Sequence, residues 1–304
     1  MKRHWTAEDI PNQSGRIALV TGANAGVGFE IASALAAKGA TVLLACRSVS
    51  KAEDAAAKIH DKLPLSKIEI VPLDLASLDS IKDAAEDVAR RIPRLDLLIN
   101  NAGLMGTDLS RTADGFEMQI GVNHLGHFAL TLRLLPLLYN AESSRIVTMS
   151  SFAHRRGKMN LDDLNCEHHK YRRWEAYFQS KLANLLFSSE LNRRLAKSSG
   201  SSQSLAAHPG VAKTDLGSEG SSLANRVLSP NTPFGSQSAE TGALPTLRAA
   251  TDPDAKGGEF YGPRWYVRGY PTRETPSKAA RDQASSGSLW ELSESLTNLS
   301  FGQR

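Results

Sequence analysis

The feature that most constrains this chain is the texture of its apolar runs. Residues 17–20, 41–45, 68–71, 95–99, 145–149 and 204–207 are short and largely apolar, without a regular polar–apolar alternation. A strand that is apolar on both faces is buried on both, as in a parallel sheet covered by helices on each side. Helical stretches separate the runs, at 29–38, 51–63, 78–91, 116–138 and 174–195. Repeated βα units of this kind predict an α/β fold: a Rossmann-type doubly wound parallel sheet with helices on both faces. Residues 239–250 and 289–299 read as further helices and 259–261 as a last short strand. With no repeat and no linker, residues 1–304 are expected to form a single domain. Residues 213–238 are rich in Ser, Gly, Asn and Pro with scattered apolar side chains, and a loop of this length is expected to be a substrate lid.

The first strand runs into Thr21-Gly22-Ala23-Asn24-Ala25-Gly26-Val27-Gly28, and a helix follows. Glycines at such a junction permit a tight turn and let the backbone approach a pyrophosphate. The helix N-terminus adds free N–H groups and the positive end of its dipole. A tight turn without a ligand is the bland alternative. The position between first strand and first helix favours dinucleotide binding, with Gly22, Asn24, Gly26, Val27 and Gly28 as the cradle. Arg47 follows the second strand, where a guanidinium can pair with a 2′-phosphate. Asp74 and Leu75 follow the third strand; Asp74 there can cap the next helix. Asn101, Ala102 and Gly103 follow the fourth, where small residues allow a cofactor close to the backbone.

Tyr177 and Lys181 are four apart on a helical stretch and so share a face. An ammonium beside a phenol favours the phenolate and makes tyrosine a usable acid/base near neutral pH. The fifth strand ends in Ser150-Ser151, either of which can hydrogen-bond a carbonyl oxygen; spacing does not choose between them. Asn123 lies inside a helical segment, where asparagine is unfavourable and a special role is expected.

Taken in order, Thr-Gly-x-x-x-Gly-x-Gly, Asn-Asn-Ala-Gly, the serine strand end and Tyr-x-x-x-Lys make residues 15–250 resemble the short-chain dehydrogenases/reductases. The phrases Asn123-His124-Leu125-Gly126-His127-Phe128 and Tyr177-Phe178-Gln179-Ser180-Lys181 are similar to the retinol dehydrogenase and protochlorophyllide reductase-like subgroup. The resemblance implies a nicotinamide cofactor and Asn123, Ser151, Tyr177 and Lys181 as the catalytic set, with Ser151 the serine that acts and Asn123 holding a relay water. Tyr177 and Lys181 also contact the cofactor. The resemblance gives Asp74 the adenine ring, Pro209, Gly210 and Val211 the nicotinamide, and Thr214 the nicotinamide carboxamide or the phosphates. Cys46 fills the position where an NAD enzyme carries an acid, so the expected cofactor is NADP(H) and the expected reaction is carbonyl–alcohol interconversion. Microsomal members carry an N-terminal anchor. None is read here, and the expected substrate is a lipophilic aldehyde, ketone or alcohol, retinal-like or otherwise. A non-catalytic NADP-binding regulator is the alternative on the same fold. An extended-branch epimerase or dehydratase would show Thr-Gly-x-x-Gly-x-x-Gly, and residue 25 is alanine.

The net charge of +4 is mild and does not call for nucleic acid. No run reads as a membrane span or signal peptide, which makes the cytoplasm the expected location. The two cysteines, Cys46 and Cys166, fit no disulfide or zinc spacing, and no metal is expected, including at Cys166-Glu167-His168-His169. The run Lys170-Tyr171-Arg172-Arg173-Trp174 reads as a solvated face or as lining of the substrate entrance. Nothing in the composition sets an oligomeric state.

Overall fold

A computed structural model describes residues 4–198, 201–211 and 237–302. Its strands are β1 (Ile17–Thr21), β2 (Thr41–Cys46), β3 (Lys67–Pro72), β4 (Leu97–Asn100), β5 (Arg145–Met149), β6 (Gln203–Ala207), β7 (Phe260–Pro263) and β8 (Pro271–Glu274). They form one eight-stranded sheet in the order β3-β2-β1-β4-β5-β6-β7-β8. All pairings are parallel except β7 with β8. The chain winds outward from β1 to β3, then crosses back to β4 and winds the other way. The switch between β1 and β4 opens a crevice at the carboxyl ends of the strands, where ligands bind in doubly wound sheets.

Helices α1 (Gly26–Ala37), α2 (Val49–Lys62), α3 (Leu78–Arg91), α4 (Gly126–Tyr139), α5 (Arg173–Leu195), α6 (Ala239–Thr251) and α7 (Gln283–Thr297) cover the sheet. Successive strand residues feed opposite cores, which is why the strands are apolar throughout. Val20, Val42, Leu44 and Ile99 pack with Ile31, Leu35, Ile59 and Leu247 on one face. Leu19, Leu43, Leu98 and Ile146 pack with Ile81, Phe128, Phe187 and Trp290 on the other. Each such side chain contributes about 1.5–3 kcal/mol by leaving water. Ser48 and Ser77 start α2 and α3 by accepting the N–H groups of Lys51 and Ser80.

Three elements depart from the sequence expectation. The single helix expected over 116–138 is instead a turn, Met118–Ile120, a π-helical turn, Gly121–Leu125, and then α4. The glycines bounding the π turn lie against neighbouring atoms. A Cβ on Gly121 would sit 2.4 Å from Thr112 Cγ2, and one on Gly126 would sit 2.5 Å from the Leu75 carbonyl oxygen. Strand β8 was not expected at all: Pro-Thr-Arg-Glu has no apolar run. It forms at the sheet edge, where one side of a strand needs no ladder partner and proline is tolerated. The last helix also starts earlier than expected, capped by Asp282.

Candidate active site

The glycine loop is held from below by hydrogen bonds. Gly22 N–H donates to the Ala45 carbonyl at 2.8 Å, and Asn101 Nδ2 donates to the Thr21 carbonyl at 2.8 Å. Gly22 and Gly26 have φ of +65° and +56°, the left-handed region that favours glycine. Gly28, in the first turn of α1, lies directly against the loop: a Cβ there would lie 2.3 Å from the Gly22 carbonyl oxygen and 2.5 Å from Asn101 Nδ2. Val27 is buried and Asn24 half-buried. Cys46 is buried at the end of β2, where burial raises its thiol pKa while hydrogen bonds from the Ala23 and Asn24 backbone work the other way. Arg47 beside it is exposed. Asp74 Oδ1 accepts the Ala76 N–H at 2.9 Å in a local turn, and Ser77, not Asp74, caps α3. Leu75 is buried against Gly126.

Ser151, Tyr177 and Lys181 come together at the carboxyl end of β5. Tyr177 is 5 % exposed and Lys181 3 %, so α5 presents both to the interior of the site rather than to solvent. The Lys181 ammonium lies 5.9 Å from the centre of the Tyr177 ring. The two serines separate clearly. Ser150 Oγ donates to the Lys181 carbonyl at 2.7 Å, whereas Ser151 Oγ accepts the Ala153 N–H at 3.2 Å and stands close enough to the Tyr177 phenol to favour its ionised form. The expectation that Lys181 would lower the phenol pKa is corrected for the chain's own groups. Burial pushes the Tyr177 pKa up, and the nearby Ser151 hydroxyl only opposes it. Burial also lowers the Lys181 pKa to about 8. Its ammonium is 3.5 Å from the Met149 carbonyl, a long contact that compensates little.

Asn123 sits in the π turn, buried, with its amide fully engaged. Oδ1 accepts the Leu104 N–H at 2.7 Å, while Nδ2 donates to the Leu104 carbonyl and to Ser180 Oγ, both at 2.9 Å. It therefore ties the chain beyond β4 to α5 beside Lys181. A Cβ on Gly103 would lie 3.0 Å from Asn123 Oδ1 and 3.2 Å from Lys181 Nζ, so only glycine leaves this corner open. Ala102 packs equally close to Gly22, at 3.0 Å from the Cβ it lacks.

Sequence reasoning missed two buried histidines that brace this site. His127 Nδ1 lies 3.1 Å from the Asn123 carbonyl, so that nitrogen carries the proton and donates. Its Nε2 then accepts from Thr21 Oγ1 at 2.9 Å, and Thr21 Oγ1 in turn accepts the N–H groups of Asn101 and Ala102. One chain of bonds thus links the π turn, the glycine loop and the β4 end. Burial lowers the His127 pKa to about 4, which keeps it neutral in this role. His154 Nδ1 donates to the Ser151 carbonyl at 2.7 Å, and its Nε2 accepts the Ser277 N–H at 3.3 Å. Both histidines sit within the site motifs, His127 four residues after Asn123 and His154 three after Ser151, but a buried histidine announces no partner in sequence.

Pro209 and Gly210 form the turn after β6, with Gly210 at φ +65° and Val211 exposed. Thr214 lies outside the described residues, as does nearly all of the expected lid at 213–238. Among the described residues no three metal-ligating side chains are gathered, and His169 pairs with Asp163. The basic run is spoken for: Arg172 pairs with Glu175, Arg173 with Asp108, and Tyr171 donates to Glu117. No described helix is long and apolar enough to cross a membrane.

Comparison with known proteins agrees with this geometry. The family described as short chain dehydrogenase matches residues 16–222. Human retinol dehydrogenase 13 is 40 % identical over 98 % of this chain and 90 % of its own length. An uncharacterised Mycobacterium paratuberculosis protein of known structure is 42 % identical, superposes with a TM-score of 0.84, and is covered in full by 99 % of this chain. An Escherichia coli short chain dehydrogenase complexed with NADPH is 27 % identical with a TM-score of 0.61, over 83 % of this chain and 97 % of that one. The chain belongs to the short-chain dehydrogenase/reductase family.

Proposed function

We propose that this oxidoreductase uses NADP(H) to interconvert a carbonyl and an alcohol on a lipophilic substrate. The observation that carries the reading is the convergence of Ser151, Tyr177 and Lys181 beside the corner that Gly103 leaves open. The glycine loop fits a dinucleotide, since Gly22 and Gly28 let it fold tightly against Asn101, Ala102 and its own backbone at the start of α1, and Gly103 keeps the corner beside Lys181 free of a side chain. Gly22, Asn24, Gly26, Val27 and Gly28 would hold the pyrophosphate, Arg47 the 2′-phosphate, and Asp74 and Leu75 the adenine. Asn101, Ala102, Gly103, Pro209, Gly210, Val211 and Thr214 would line the remainder. When bound, the nicotinamide supplies or accepts the hydride.

The chain's own groups do the rest. Ser151 and Tyr177 hold the reacting oxygen, and the Tyr177 hydroxyl gives or takes the proton. Lys181 holds the nicotinamide ribose and carries positive charge towards the phenol as the phenolate forms, offsetting the burial that disfavours it. Asn123 fixes the π turn from which protons would pass inward to Lys181. The lipophilic substrate is supported by apolar side chains left at the rim: Phe152 and Tyr266, with ring centres 5.9 Å apart, and Val211 are all at least 40 % exposed. Two free, buried cysteines support work in a reducing compartment such as the cytoplasm.

The test is NADPH oxidation over aldehydes and ketones of graded hydrophobicity, for wild type and Tyr177→Phe. Turnover that rises with hydrophobicity, and falls at least about a hundredfold in the variant while NADPH still binds, is expected. No turnover on any carbonyl, or near wild-type turnover without the phenol, would overturn the reading.

A further inference from the structure

A second recess, of about 540 Å³, opens against β8 at the edge of the sheet. Its wall carries five cations, Arg155, Arg264, Arg273, Lys278 and Arg281, and one carboxylate, Glu274. Its β8 wall is remote from the glycine loop: strands β4, β5, β6 and β7 stand between β1 and β8, which at roughly 4.8 Å per strand is about 24 Å. Its opposite wall, Arg155 and Tyr266, adjoins Phe152 at the substrate rim.

The positive charge is only partly balanced from within. Glu274 accepts a hydrogen bond from His208 Nε2 at 3.1 Å and lies 3.7 Å from Arg155. Arg273 pairs outward with Glu259. Among the described residues, Arg264, Lys278 and Arg281 form no ion pair, and Arg264 only lies over the Tyr270 ring. Like charges gathered round one concavity repel each other and raise the local potential. That arrangement is unfavourable for the chain alone and favourable once an anion enters.

We propose that this recess binds a phosphate-bearing anion. Guanidinium groups match phosphate oxygens in pairs, and the lysine adds a compact charge. The volume exceeds what one inorganic phosphate fills and falls within the range of small-molecule sites, so it accommodates a phosphorylated small molecule or a phospholipid headgroup. The proposal is independent of the hydride-transfer reading, because its test measures binding and not turnover.

The test is calorimetric titration of the full chain, saturated with NADPH, with sodium pyrophosphate. Sedimentation with phosphatidylcholine vesicles, with and without phosphatidylserine, forms the second arm. Each is repeated on Lys278→Ser/Arg281→Ser and on a control, Lys58→Ser/Lys67→Ser, which removes the same charge from exposed positions elsewhere. Thermal unfolding verifies that both variants fold; if the recess pair does not, Arg264→Ser replaces it. Saturable pyrophosphate binding that weakens about tenfold or more in the recess variant and survives in the control supports a free phosphorylated ligand. Phosphatidylserine-dependent vesicle binding with the same pattern, and no pyrophosphate binding, supports a lipid headgroup. Absence of both, or equal loss in recess variant and control, overturns the proposal.

Discussion

The hydroxyl of Ser150 donates to the main-chain carbonyl of Lys181 at 2.7 Å, which fastens the end of β5 to the helix that carries the reacting side chains. Its neighbour Ser151 makes no such tie: its hydroxyl caps the Ala153 N–H at 3.2 Å and stands near the Tyr177 phenol. One residue of strand therefore divides two tasks that the pair Ser-Ser cannot divide on paper. Ser150→Ala should lose one buried hydrogen bond, about 0.5–1.5 kcal/mol, and lower Tm with a modest effect on kcat. Ser151→Ala should depress kcat by about a hundredfold, with a modest fall in Tm of its own because Ser151 Oγ also caps the Ala153 N–H. Parallel measurement of kcat and Tm on both variants checks this, and the reverse pattern would exchange the roles.

Lys181 is a buried ammonium with one long hydrogen bond, so it should oppose folding. Its folded pKa of about 8 lies below the 10.5 of an unfolded lysine. Above 10.5 both states are neutral and nothing is lost. As pH falls from there to about 8 the unfolded chain takes up a proton that the folded chain refuses, and the penalty is complete below that. The difference corresponds to about 3 kcal/mol as an order of magnitude. Lys181→Met, similar in volume and uncharged, should abolish turnover yet raise stability at neutral pH. Urea unfolding at pH 7 and at pH 10 should show that gain shrinking as the pH rises; a gain that is constant with pH would mean burial of the charge is not its source.

Two glycines on helices should respond in opposite directions to alanine. At Gly28 a methyl group meets the Gly22 carbonyl and Asn101 Nδ2 at 2.3 and 2.5 Å, and neither can move without opening the glycine loop. Gly28→Ala should lower Tm and weaken NADPH binding at least about tenfold. Gly287, within α7, has nothing within 4 Å of the same position. Gly287→Ala should stabilise by about 0.5–1 kcal/mol through helix propensity and leave cofactor affinity alone. Calorimetric melting with an NADPH titration on each variant checks both signs.

Much of the sheet was legible because burial on both faces writes itself into composition. Leu19 and Val20, adjacent in β1, serve opposite cores, and no alternation can survive that demand. The loops at the carboxyl ends of the strands were legible for a different reason: glycine and Asn-Asn-Ala-Gly stand where backbones must approach closely. Strand β8 was not, because an edge strand needs little apolar surface. The bracing by His127 and His154 was not either, since it depends on which carbonyl a ring nitrogen meets, and Thr21 is far from His127 in sequence. The pKa direction at Tyr177 was misjudged because proximity on a helix says nothing about how completely both groups lose water.

Cofactor choice turns on the end of β2, and the structure sharpens what each residue there should do. Cys46 is buried and its thiol faces the Ala23 and Asn24 backbone, whereas Arg47 is exposed. A guanidinium bonded to a 2′-phosphate contributes roughly 1.5–3 kcal/mol, or about ten- to a hundredfold in affinity. Arg47→Ala should weaken NADPH by that factor and leave NADH nearly unchanged. Cys46→Asp should act in the opposite sense on selectivity. Its carboxylate inherits the two backbone N–H groups that now face the thiol, so it can remain ionised, accept from ribose hydroxyls and repel a 2′-phosphate. Because the position is buried, that variant should also lose stability, and a lower Tm should accompany the shift towards NADH. Fluorescence titration of both nucleotides against wild type and the two variants decides the matter. Equal weakening of NADPH and NADH by Arg47→Ala would make the arginine a support for the loop and remove the main argument for NADP(H).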